Sequence, residues 1–140
     1  MRARVSLVFI LLAAAVPAVS NASAQSDIVV RADVTKAEIE RILNADNLDT
    51  VSMEPRDVAD TLAAISRGRA PEDFWEAYQK HVDAWQDMAA LTDRQDCQAD
   101  DGELDAADRT INRTFAEVER IARTYGARIP MPMTEVRRLT

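Results

Sequence analysis

The chain has 140 residues, a formal net charge of −7, one histidine, one cysteine and three glycines. That length allows one domain with a modest core, and the negative balance disfavours nucleic-acid phosphates and anionic lipid surfaces as partners. One histidine excludes a His cluster, and three scattered glycines cannot build a phosphate cradle.

Residues 1–24 read as a cleaved export signal. Arg2 and Arg4 form a positive n-region, Val5 to Val16 is an apolar run, and Ala22-Ser23-Ala24 supplies the small-residue pattern of signal peptidase. The run is short for a transmembrane span, and no cysteine sits near the cleavage point to carry a lipid. The expected location is therefore the periplasm, without membrane insertion after cleavage; an uncleaved anchor is the alternative. Loss of the two arginines takes the formal charge from −7 to −9.

Residues 25–34 follow as an N-terminal arm whose Ile28-Val29-Val30 suits a docking segment or a single strand. Thr35-Lys36-Ala37-Glu38 has the form of a capping box, in which hydroxyl and carboxylate satisfy each other's backbone amides. It predicts a first helix to about Asn47, burying Val34, Ile39, Ile42 and Leu43. A second helix is expected from about Ser52, with Pro55 in its first turn, where no amide hydrogen is needed. It buries Val58, Leu62 and Ile65, and Gly68 ends it.

Pro71 opens the most informative stretch, which runs to Arg94. Phe74, Tyr78, His81, Trp85 and Met88 fall at i, i+4, i+7, i+11 and i+14, one line on a helix. Trp75, Val82 and Ala89 widen that line on one side, and Ala77, Ala84 and Leu91 on the other. An arc this wide needs more than one neighbour. After a polar acidic loop, Leu104, Ala107, Ile111, Phe115, Val118, Ala122 and Tyr125 mark a fourth helix over about 103–125, and Gly126 suits its left-handed C-cap. The tail, 127–140, is held extended by Pro130 and Pro132, with one last turn expected over 134–139.

The predicted architecture is all-α: a small bundle of about four helices over residues 35–126. Helices three and four form a long antiparallel hairpin, covered by two shorter helices. No segment shows sustained period-two alternation of strand-forming residues.

Catalytic signatures are missing. There is no H-E-x-x-H and no G-x-S-x-G, and Tyr78 stands where a di-iron pattern needs a glutamate three residues before the histidine. Carboxylates abound, but none lies on a predicted apolar face where its pKa would be raised. The loop from Asp93 to Asp108 holds seven carboxylates, yet aligning Gly102 with a calcium-loop glycine puts Cys97 and Ala99 at ligand positions. A solvated loop that favours the next helix's N-terminus is the better account. Cys97 has no partner within the chain, so it is a passive thiol or the link of a disulfide dimer. Acidic neighbours oppose its thiolate.

Two binding readings follow. The favoured one is a non-enzymatic periplasmic domain that binds another envelope protein, without a cofactor, through Trp75 at the rim of the third helix's apolar arc and Tyr78 on its central line. The alternative is a bundle that holds haem or copper through His81 and methionine, with Met131 and Met133 as the soft donors. No C-x-x-C-H is present, so that haem would be non-covalent.

The segments P-x-D-F-W-x-A-Y-x-x-H-x-x-A-W (Pro71 to Trp85) and T-F-x-E-V-E-R-I-A-R-x-Y-G (Thr114 to Gly126) resemble those of uncharacterised small exported proteins of Gram-negative bacteria. That resemblance covers the two long helices and implies a helical fold; it assigns no activity and no functional residue.

Overall fold

A computed structural model of the chain describes residues 21–94 and 100–133, with side chains from residue 27. These residues form four helices and no strand: α1 (Asn21–Asp46), α2 (Pro55–Ala63), α3 (Glu72–Thr92) and α4 (Asp101–Thr124). Residues 1–20 of the expected export signal (1–24), Cys97 and the turn expected over 134–139 lie outside the described residues.

α1 departs from the sequence reading. It is 26 residues long, the longest of the four, so α2 alone is a short cover. Nothing between Asn21 and Asp46 breaks a helix, because glycine and proline are both absent there. The segment 25–34 is therefore helical and not a strand, and Thr35 lies inside α1 instead of capping it. Glu38, expected to reach back to Thr35, pairs with Arg41 at 2.6 Å. Only the C-terminal half of α1 packs, through Ile39, Ile42 and Leu43, all at most 1% exposed.

α2 is shorter than expected. Pro55 is at its first turn as predicted, but the helix ends at Ala63, five residues before Gly68. Beyond it the Ile65 amide donates to the Leu62 carbonyl, and Ser66 offers its carbonyl to the Arg41 guanidinium at 2.6 Å. Gly68 then takes a positive φ of 56° to turn the chain into α3.

α3 and α4 form the antiparallel hairpin. Asp73 at the start of α3 accepts from the Tyr125 hydroxyl past the end of α4, His81 meets Thr114 midway, and Arg94 pairs with Glu103 at the turn. α4 begins with Asp100 as N-cap, whose carboxylate accepts from the Glu103 amide while Glu103 reaches back, a complete capping box. It ends in a Schellman motif: Gly126 at φ 70° donates to Arg123, and Ala127 donates to Ala122.

The core is one cluster. Phe74, Tyr78 and Val82 of α3 meet Val58 and Leu62 of α2, the α1 trio, and Val118 and Ala122 of α4. Fully burying each large side chain contributes about 1.5–3 kcal/mol. Past the Schellman turn the chain folds back along α1 instead of leaving the body. The Arg128 amide donates to Glu40, Ile129 packs on the core, and Asn47 donates to the Met131 carbonyl at 3.0 Å. This strap makes one wall of the cleft described next.

Candidate functional site

The apolar stripe of α1 runs Ile39, Ile42, Leu43 and then Asp46, at spacings of three, four and seven. The last member is a carboxylate. Its side chain is 3% exposed, and its Oδ2 makes no hydrogen bond with the protein. This overturns the expectation that no carboxylate lies on an apolar face. Burial pushes the Asp46 carboxyl up to about 7, because little nearby replaces the lost hydration of its charged form.

Facing it is His81, whose Nε2 lies 3.9 Å from Asp46 Oδ2. That separation is too long for a direct hydrogen bond. Burial holds His81 down at about 4, only partly offset by a hydrogen bond to the Ile111 carbonyl. Its Nδ1 sits 3.1 Å from Thr114 Oγ1, and that hydroxyl lies 2.9 Å from the carbonyls of both Thr110 and Ile111. The Ile111 carbonyl only accepts, and it lies beside Thr114 on the Nδ1 side of the ring, so we assign the single ring hydrogen to Nδ1, where it serves Ile111 and Thr114 together. The Nε2 lone pair is thereby turned toward Asp46. Phe115 holds the ring in place, with centroids 5.1 Å apart.

Asp46 and His81 form the base of a cleft of about 250 Å³. Its walls are Val58, Leu62, Trp85, Ile111 and Phe115, closed on one side by Pro130, Pro132 and Met133 of the strap; Asn112 and Glu119 add polar groups. Base residues are buried, whereas Thr50, Asn112, Pro132 and Met133 are open to solvent.

The line Thr114, His81, Asp46 has the residue types of a hydrolase triad but not its proton logic. A triad histidine takes a proton from the hydroxyl; here Nδ1 already carries one and donates it.

The sequence-predicted residues fall differently. Tyr78 does not reach a surface: it is fully buried, stacked on Phe74 and Trp75, and its hydroxyl donates to the Leu62 carbonyl. Trp75 is partly buried, its ring 5.3 Å from that of Tyr78. His81 and Met133 share the cleft, but Met131 does not line it and is 53% exposed. Among the described residues no three of His, Cys, Asp and Glu are grouped to hold a metal ion. Asp46, Asn47, Thr50, Asn112 and Glu119 are polar cleft residues that the sequence reading missed. For Asp46 the signal was its place on the stripe Ile39-Ile42-Leu43.

A second, wider groove of about 650 Å³ lies between the N-terminal half of α1 and the end of α4, lined by Ile28, Arg31, Thr35 and Tyr125. Beside it Ile28, Val29 and Val30 are 68%, 54% and 61% exposed. No buried polar group sits at its base, so its volume alone does not make it the better small-molecule site.

Among the described residues no helix is long and apolar enough to cross a membrane. Comparisons with protein-family models, with curated proteins and with solved structures find no match to this chain.

Proposed function

We propose that the chain is a non-catalytic binding domain of the bacterial periplasm that holds a small, polar-headed ligand in the cleft lined by all four helices and the strap. The observation that carries this reading is Asp46 Oδ2, buried at the base of a solvent-reached cleft without a protein hydrogen bond. Buried polar atoms are nearly always partnered, and an orphan calls for an explanation. A ligand that reaches the Asp46 and His81 pair from the open rim supplies one. The export-type N-terminus supports the location. A cleft of about 250 Å³ falls below the usual range of roughly 300–1,000 Å³ for drug-sized ligands. It suits a small molecule or ion better than haem.

The test is amide and side-chain NMR of the purified chain against a mixed library of small polar fragments. Saturable shifts confined to Asp46, His81, Trp85 and Ile111 are expected. Shifts scattered over the surface, or none, would refute the reading.

A second reading is favoured by a separate observation. Ile28, Val29 and Val30 are exposed on a helix that projects past its packed half, and exposed apolar clusters of this kind mark protein contacts. On this reading α1 docks an envelope protein, with Trp75 not needed. Crosslinking in periplasmic extract through residue 29 tests it: one discrete adduct is expected, and a smear or no adduct counts against it.

A further inference from the structure

The geometry points to a primary ammonium compound, a small aliphatic amine, as the ligand of the Asp46–His81 cleft. The inference rests on that cleft being a binding site and goes on to name the class of its ligand.

Sign comes first. The titratable groups on the cleft lining are Asp46, His81 and Glu119, and among the described lining residues there is no lysine or arginine. Glu119 is already paired with Arg123 at 2.9 Å, so the charge without a counter-ion is that of Asp46 at the buried end, and an anionic ligand would meet it directly. A cation has the opposite experience, and at the buried end it neutralises Asp46 where water does not screen the pair.

The donor pattern comes next. Asp46 Oδ2 is an acceptor without a hydrogen-bond partner, and His81 Nε2 is a second acceptor in the tautomer whose ring hydrogen, on Nδ1, serves Ile111 and Thr114. Two acceptors 3.9 Å apart are spanned by one nitrogen about 2.9 Å from each, a normal N–H···O or N–H···N length. An ammonium has three donors and no acceptor, so it meets both and keeps one hydrogen for a further group. A metal ion is less well served, since no trio of His, Cys, Asp and Glu is grouped there.

Size and walls complete the description. At about 30 Å³ per water in the liquid, about 250 Å³ corresponds to the space of roughly eight waters. A body of three to five carbons fits between Val58, Leu62 and Ile111. Trp85 and Phe115 are aromatic members of the lining, and an aromatic wall tolerates a cation.

The experiment titrates propylammonium, 1-propanol, propionate and zinc ion, each alone, into the full chain at pH 8, read by Trp85 fluorescence and by NMR at His81. Propylammonium is expected to bind at least tenfold more tightly than 1-propanol, and Asp46→Asn is expected to remove that advantage while circular dichroism shows the fold unchanged. Glu119→Gln, at a separate cleft position, is expected to weaken propylammonium by about two- to threefold. If 1-propanol binds the cleft as well as the amine does, the cationic assignment is overturned and the cleft remains a ligand site. Tighter binding of propionate overturns it in the same way. If zinc alone binds, with the His81 ring signals shifted, the ligand is a metal ion. If no probe perturbs His81 or Trp85, the cleft reading fails together with this one.

Discussion

Replacing Asp46 and His81 one at a time should reverse the sign of pH dependence between the two variants. Both side chains are nearly out of water, at 3% and 4% exposure. Asp46 sits at about 7 in the folded chain against an ordinary value of 3.8. Between those values the folded state keeps a proton that the unfolded state has lost. Stability from this group therefore falls as pH rises, by about 1.4 kcal/mol per unit and about 4 kcal/mol across the window. His81 runs the other way. Its folded value is about 4 against 6.5, so between them the unfolded state holds the extra proton. Stability from His81 rises with pH by about 3 kcal/mol over that range.

From about pH 4 to 6.5 the two contributions oppose each other, and the wild-type pair adds little slope. Relative to wild type, Asp46→Asn should gain about 4 kcal/mol between pH 4 and 7, and His81→Gln should lose about 3 kcal/mol between pH 4 and 6.5. The nearest other groups are the Tyr78 hydroxyl, which burial and the Asp46 charge keep protonated, and Glu119 on the cleft lining. Both are present in all three proteins and cancel in the differences. Urea unfolding at half-unit pH steps measures those differences. Two variant curves that run parallel to wild type, within about 0.5 kcal/mol at every pH, would refute the buried-pair account.

Other perturbations test the frame around the cleft. Asp100→Ala removes the N-cap of α4 and its reciprocal bond with Glu103, so chemical unfolding should show a loss of about 1 kcal/mol; no loss would mean the box adds nothing in solution. Gly126 and Gly68 both have positive φ, but an added Cβ at 126 meets nothing, whereas at 68 it runs into the Glu38 carboxylate. Gly126→Ala and Gly68→Ala should each cost about 1–2 kcal/mol from backbone strain, since the Glu38 carboxylate beside Gly68 ends a flexible side chain that can move aside; paired melting curves check both. Trp85→Ala should cost about 2–4 kcal/mol, less than a fully buried ring, since Trp85 is only partly buried against the core. A change near zero would remove Trp85 from the cleft wall.

The α3–α4 hairpin was legible because its signals are local and agree with one another. Pro71 marks the entry, the line Phe74-Tyr78-His81-Trp85 gives the period, and Gly126 supplies the exit. Each is a statement about neighbouring residues, and the fold honours each of them. The length of α1 was not legible for a related reason. Thr35-x-x-Glu38 satisfies a capping pattern, but a cap forms only where the chain before it leaves the helix, and nothing in Gln25 to Val34 makes it leave. Tertiary packing did not decide that stretch either, since Ile28, Val29 and Val30 remain exposed. The mirror case is Asp100: Asp100-x-x-Glu103 carried the same signal, just before the expected start of the fourth helix, and there the box forms.

The cleft was half legible, and the missing half shows why. His81 stood out because it is the one histidine on an aromatic stripe. Asp46 lay hidden among 24 acidic residues, although its spacing from Ile39, Ile42 and Leu43 puts it on their face. Periodicity placed it correctly; the habit of reading every carboxylate as solvated set it aside. Nothing local in either residue says that they meet, because that depends on α1 and α3 packing across α2 and on the strap returning over Asn47. A single residue on a stripe is therefore weak evidence of a site. An acid and a base on two stripes, brought 3.9 Å apart with the base's other nitrogen already committed to Thr114, form an arrangement that core packing does not require. Val or Leu at position 46 would fill the same space without the desolvation cost of a carboxyl. The cost of burying a polar pair in that position is what an ammonium ligand would offset.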